Sequence, residues 1–358
     1  MLEPAQEPSP GRVVRTLQDG FWDLTEVIEL SDGEHRVRKR SKGATAERPW
    51  GVESLRREIR YLRSASPQAA EVLPRLFACW DRPGAQGPEV GYEMPFYSDH
   101  RDAGTLARSG VLGQEEIDVF QGELADAVLA CLHEPAGEHE SLSAHMVGAV
   151  RQAFDRLVTD QAFAALINAE TIELNGRLVL GPRTVFERII RETDLLVRID
   201  GTPAVRLHGD LHLENILWRP LAVVGTESRL ILIDVVSVAG VTFGLPLWDL
   251  VKYESYATGE LMALRSERIE VAGMGDGSGK YRCRIRTEDP GLAPFLTRNW
   301  HAIFREAFVR QHGPVDERAY RFIHGYFNAA MALNTSGIQR QGRLLRATED
   351  FNAVLDGA

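Results

Sequence analysis

The sequence predicts an α+β fold in two lobes, a small antiparallel-sheet N-terminal lobe and a larger, mainly helical C-terminal lobe. Two observations carry this. The chain has 358 residues, more than twice the length of a typical domain of about 150 residues. Strand-like segments crowd between residues 12 and 94, whereas from Gly113 onward apolar residues recur at helical spacing, the order expected of a sheet region followed by a helical one. A hydrophobic fraction of 44% is ample for a sizeable core.

Residues 1–11 are Pro/Glu-rich and read as a disordered tail; with no apolar run they are not a signal peptide. The first lobe is expected over residues 12–97. Its first three strands are Arg12 to Thr16, Leu24 to Leu30 and His35 to Arg40, the last two joined by the tight-turn signal Ser31-Asp32-Gly33. On the third strand, alternation puts Val37 and Lys39 on one face and Arg38 and Arg40 on the other. A lysine sharing a face with an apolar residue is suited to reach inward, with Arg40 and Lys42 as alternatives in the same basic segment. After Pro49-Trp50-Gly51 a helix is predicted from about Val52 to Ser64, with Val52, Leu55, Ile59 and Leu62 on its buried side. Glu58 borders that stripe, while Glu53 lies near the helix start, where the dipole favours a carboxylate. Two more strands follow, Leu76 to Trp80 and Val90 to Met94.

The second lobe is expected over residues 98–358. Ile117, Phe120, Leu124, Val128 and Leu132 form one apolar stripe of core character. Leu174-Asn175-Gly176-Arg177 is a hairpin turn. Late helices carry Trp300, Ile303, Phe304 and Phe308, then Tyr320, Ile323, Phe327 and Met331, with His301 and His324 beside them as structural histidines. Gly273 to Lys280 imitates a phosphate-binding P-loop but fails twice. Met274 stands where the first glycine belongs, and Tyr281 where Ser or Thr must follow the lysine. Its alternating flanks make it a hairpin insertion near 266–288, suited to shape an acceptor site or an oligomer contact.

The net charge of −10 argues against a general nucleic-acid binder, which needs a basic face, and suits a cationic small molecule. Cys79, Cys131 and Cys283 are too few and too dispersed for a disulfide framework or a zinc site. The longest uncharged run, Val235 to Trp248, is short and broken by Gly240, Gly244 and Pro246, so it does not span a bilayer. A reduced, cytoplasmic protein without membrane or nucleic-acid partners is the expectation; the oligomeric state stays open.

The densest cluster of chemistry is Leu207-His208-Gly209-Asp210-Leu211-His212-Leu213-Glu214-Asn215-Ile216-Leu217-Trp218. Apolar flanks around a short polar core predict a chain that leaves one buried strand, turns at Gly209 and enters another. The turn then presents Asp210 and Asn215 together. Asp followed five residues later by Asn is the spacing of a kinase catalytic loop, where the Asp takes the hydroxyl proton and the Asn holds magnesium. Downstream, Leu230 to Val236 is an apolar strand interrupted only by Asp234, a charge that needs a cationic partner there. A metallohydrolase using His208, Asp210 and His212 would need further ligand clusters, and the other eight histidines are scattered.

His208-Gly209-Asp210-x-His212-x-x-Asn215, then Ile233-Asp234, then Leu245-Pro246-Leu247-Trp248-Asp249 resembles the aminoglycoside phosphotransferase and choline kinase family, small-molecule relatives of protein kinases. The resemblance implies a protein-kinase-like fold and transfer of the γ-phosphoryl of ATP (or GTP) to a small-molecule hydroxyl, of an antibiotic such as an aminoglycoside or nucleoside, or of a sugar or choline-like metabolite. It implies Asp210 as base, Asn215 and Asp234 on Mg2+, and His208 and Asp249 as supports of the catalytic loop. It also implies Lys39 on the α/β-phosphates, braced by Glu58, and Met94-Pro95-Phe96-Tyr97 as the adenine hinge. Pro95 retains the carbonyl, and Tyr97 the N–H, that a hinge uses. The phosphate loop, Gln18 to Asp23, holds a single glycine, Gly20, which either lets the backbone approach phosphate or serves an ordinary hairpin. Asp234-Val235-Val236 replaces the Asp-Phe-Gly of protein kinases, and no Ala-Pro-Glu segment follows, so protein-kinase switching is not implied. A catalytically inactive nucleotide-binding regulator would be expected to lack one of the Lys, Asp, Asn, Asp set, and candidates for all four are present.

Overall fold

The computed structural model describes residues 7–20, 23–42, 51–84, 87–136, 141–192, 194–220, 228–236 and 240–357. Of the expected features, residues 1–6 of the tail, Phe21 and Trp22 of the first hairpin, Pro49 and Trp50 before the helix, and 237–239 of the uncharged run lie outside the described residues. The chain forms two compact units, one drawn from residues 1–106, 126–133 and 207–242, the other from 107–125, 134–206 and 243–358. The units interleave along the chain, and the motif segment at 207–242 is grouped with the N-terminal sheet.

In the first unit five strands form one antiparallel sheet: β1 (Gly11–Asp19), β2 (Asp23–Leu30), β3 (His35–Ser41), β4 (Ala78–Gly84) and β5 (Gly87–Pro95), in the order β1-β2-β3-β5-β4. The β2–β3 turn closes where expected, with Gly33 at φ +85° and Gly33 N–H donating to Leu30 O at 3.0 Å. On β3, Val37, Lys39 and Ser41 are buried and the intervening arginines less so, the alternation read from the sequence. Helix α1 (Gly51–Arg63) buries Val52, Leu55, Ile59 and Leu62, a stripe repeating every three to four residues. Residues 7–10 precede β1, and Ser9 N–H donates to the buried Glu93 carboxylate at 3.0 Å, so part of the expected tail is tied to the sheet.

Still in this unit, Ile216–Trp218 pairs antiparallel with Leu230–Leu232 and with Arg101–Asp102. The register Ile216↔Leu232 brings Asn215, just before one strand, beside Ile233, just after the other, with Asp234 next in the chain.

The second unit is mainly helical. Helices Glu317–Ala332 and Gly337–Asp356 pack closely, because Gly325 brings the backbones together: a Cβ there would lie 2.6 Å from the Phe351 ring. Phe154, Phe186, Phe322 and Phe351 fill this core, with Phe186 and Phe322 stacked at 6.1 Å. The two hairpins read separately from the sequence join here. Ile269–Ala272, Lys280–Ile285, Thr171–Leu174 and Arg177–Leu180 form one four-stranded sheet through parallel pairing of Tyr281 with Leu174. Asn175 and Gly176 both have positive φ, 52° and 82°, as a two-residue hairpin turn requires. Trp300 precedes the helix Ala302–His312 rather than lying on it, although it is buried as expected. Among the described residues no helix is long and apolar enough to cross a membrane.

Candidate functional site

Three chain segments of the first unit meet at Lys39. Pairing within the sheet sets Lys39 opposite Thr25 on β2 and Tyr92 on β5, and alternation turns its side chain to the buried face. Its Nζ donates to Asp234 Oδ1 at 2.7 Å and to Glu58 Oε1 and Oε2 at 3.2 and 3.0 Å. The Tyr92 hydroxyl donates to Glu58 Oε1 at 3.0 Å. Glu58 is the α1 carboxylate that reaches inward, whereas Glu53 pairs with Arg60 at the surface at 2.7 Å. The alternatives to Lys39 are engaged elsewhere: Arg40 pairs with Glu26, and Lys42 with Asp19 and the Gly20 carbonyl.

The charges in this cluster shift one another. Burial would depress Lys39, but Asp234 and Glu58 outweigh it and hold the ammonium well above its ordinary range. Burial pushes Glu58 up to about 7 against the pull of Lys39. Asp23, 3.8 Å from Lys39 Nζ, is also raised by burial. Such shifts gather where groups are held for chemistry as well as in structural ion pairs.

The motif loop is built on its own backbone. Gly209 sits at φ +83°, and a Cβ there would lie 2.7 Å from Val241 O, so glycine alone passes this turn without strain. The Asp210 N–H donates to His208 Nδ1 at 3.2 Å, the Val236 N–H to His208 O at 2.8 Å, and the Tyr61 hydroxyl to Leu207 O at 2.7 Å. His208, fully buried, thus braces both the turn and the segment after Asp234. The Asn215 amide nitrogen donates to Asp210 O at 3.0 Å and Oδ2 at 3.4 Å, which turns the amide oxygen the other way. The Ile233 N–H donates to Asn215 O at 3.0 Å, and Asp234 follows at φ +54°.

Contacts therefore run unbroken from Glu58 through Lys39 to Asp234, and from Asn215 to Asp210. Asp210 and Asp234 keep side-chain exposures of 24% and 34%, enough to meet a ligand. The donor set of one amide oxygen and one carboxylate suits magnesium, a hard cation that takes few protein oxygens and completes its shell with water and phosphate. Among the described residues no three His, Cys, Asp or Glu side chains are grouped to hold a metal.

The remaining expected residues fall as follows. Met94 and Pro95 end β5, Met94 opposite Val37, and the Tyr97 carbonyl accepts from His100 N–H at 3.1 Å. A Cβ on Gly20 would lie 3.1 Å from Asp23 Oδ1. Asp249 is fully buried in the first turn of helix Leu247–Ala257, in the second unit. That unit also holds a cavity of about 390 Å3 bordered by Ile199, Val205, Leu247, Phe308 and Asp316, which none of the predicted site residues lines. Sequence reasoning missed Tyr92 and Tyr61, and named Lys42 only as an alternative to Lys39 and Asp23 only as the end of the phosphate loop. Tyr92 was accessible in principle, since Val90, Tyr92 and Met94 alternate on one face; Tyr61 shows no pattern.

This sheet, its helix and the motif loop belong to an α+β fold of the protein-kinase-like kind. A Thermobifida fusca protein described as a fructosamine-3-kinase superposes with a TM-score of 0.51 at 14% identity, covering 97% of this chain and 95% of that one. A choline kinase from Cryptosporidium parvum gives a TM-score of 0.45 at 12% identity, covering 97% and 88%. No family model matches the sequence, and no curated protein matches it.

Proposed function

We propose that this chain is a small-molecule kinase that moves the γ-phosphoryl group of ATP or GTP to a hydroxyl of a small acceptor. The observation that carries the reading is Lys39, buried and shared between Glu58 and Asp234, with Asp234 flanking the Asn215–Asp210 loop. A buried lysine between two carboxylates serves little structural purpose that an apolar residue would not serve better.

In the proposed reaction Lys39 steadies the α/β-phosphates, and Glu58 with Tyr92 fixes its position. Asn215 and Asp234 supply protein oxygens to a magnesium ion whose charge offsets that of the phosphates. Asp210 orients the acceptor hydroxyl and takes its proton as the new O–P bond forms and the bond to the β-phosphate oxygen breaks. His208 and Gly209 hold Asp210 in place, Gly20 lies near phosphate, and Met94, Pro95 and Tyr97 form the adenine edge. Positioning and charge neutralisation, rather than covalent chemistry, do most of the catalysis. The acceptor class spans antibiotics such as aminoglycosides and nucleosides, and metabolites such as sugars and choline-like alcohols.

The test is transfer from γ-labelled ATP and GTP to a panel of these compounds and to a generic protein substrate. Label on a small molecule is expected. Asp210→Asn should lower turnover by about 100-fold or more while nucleotide binding survives. Label on protein alone, or near-normal turnover in the variant, overturns the reading.

A further inference from the structure

The phosphotransfer reading leaves one carboxylate at the site unassigned. Asp23 Oδ2 lies 3.8 Å from Lys39 Nζ, with only 23% of its side chain exposed. It is the third carboxylate on this ammonium, after Asp234 and Glu58. Its place is set by the sheet, because Asp23 pairs with Ser41 as the first rung of β2 on β3. The other end of the same turn is fastened too, through Lys42 to Asp19 and the Gly20 carbonyl. Gly20 has no side chain, and an added Cβ would stand 3.1 Å from Asp23 Oδ1 and 3.2 Å from Asp23 O. The turn thus makes room for this carboxylate.

Three negative groups around one ammonium leave the position beside Lys39 with a net charge of about −2 when all are ionised. A nucleotide phosphate that seeks Lys39 meets Asp23 at close range, where like charges repel strongly because water is largely excluded. Resting on the kinase reading above, we infer that Asp23 competes with a nucleotide phosphate for the place beside Lys39. It therefore weakens nucleotide binding in proportion to phosphate charge. Neutralising it should favour ATP most, ADP less and adenosine not at all.

The test compares equilibrium binding of adenosine, ADP and ATP, with the guanosine series in parallel, to wild type, Asp23→Asn and Asp23→Glu. Asp23→Asn keeps shape and removes charge. It should tighten ATP about tenfold, ADP by less, and leave adenosine unchanged, whereas Asp23→Glu should not tighten ATP. Equal affinities in wild type and Asp23→Asn would overturn the inference and leave the kinase reading intact. Weaker ATP binding in Asp23→Asn would also overturn it, and would show that Asp23 helps to hold the nucleotide. Loss of all three ligands alike would mark a structural role and overturn it as well. If wild type binds neither series, the kinase reading falls and takes the inference with it.

Discussion

Replacing Glu58 by Gln separates stability from activity at the buried lysine. Gln keeps the volume and an acceptor for Tyr92 and Lys39 but removes the charge. In the wild type, burial raises the Glu58 carboxyl from 4.5 to about 7. The folded chain therefore holds this proton more tightly than the unfolded chain does. Its contribution to stability is complete below pH 4.5 and is lost as pH rises through 7. At about 1.4 kcal/mol per tenfold change, the loss between pH 5 and pH 8 is on the order of 2–3 kcal/mol. Glutamine has no proton to lose, so the variant should gain on the wild type by that amount over the same interval. Meanwhile Lys39 keeps Asp234 at 2.7 Å but loses its charged brace, and kcat/KM for the nucleotide should fall about 10- to 100-fold. Urea unfolding of both proteins at pH 5 and pH 8, beside nucleotide kinetics, measures both effects. A variant destabilised equally at both pH values, or one with wild-type kinetics, would refute the assignment of Glu58 as the brace.

Three further outcomes are expected. Asp234→Ala removes the carboxylate proposed to hold magnesium and should weaken magnesium-dependent nucleotide binding at least about tenfold; a magnesium titration identical to wild type would count against that role. Gly209→Ala forces a Cβ into a residue at φ +83° and 2.7 Å from Val241 O. It should cost about 2–4 kcal/mol in unfolding free energy and lower turnover by displacing Asp210, which thermal unfolding and kinetics will show. His324 is buried between Asp350 at 2.6 Å and Glu260 at 3.2 Å. Burial alone would depress it, but the two carboxylates raise it to about 10. That contribution to stability is complete below pH 6.5 and is lost as pH rises through 10. His324→Gln should therefore be least stable relative to wild type below pH 6.5, by about 3–5 kcal/mol, with the gap closing towards pH 10. A gap independent of pH would refute the charge assignment.

The sequence by itself determined the local chemistry. Period-two alternation on β3 separated Lys39 from Arg38 and Arg40, and helical spacing on α1 put Glu58 beside the buried stripe. A glycine before Asp210 and a fixed interval to Asn215 marked a turn that presents both. These features are legible because each depends only on neighbours a few residues apart, where backbone geometry alone dictates direction. The resemblance already paired Lys39 with Glu58, and only the tertiary structure added Asp23 and Asp234 to the same ammonium. Asp23, Glu58 and Asp234 lie far apart in sequence, and their meeting depends on strand pairing and helix packing that no local pattern records. The same holds for the compact units, since the 207–242 segment groups with a sheet built more than a hundred residues earlier, and for the joined hairpins at 171–180 and 269–285. Burial also sets the proton affinities, because the cost of a charge depends on what surrounds it rather than on what precedes it in the chain.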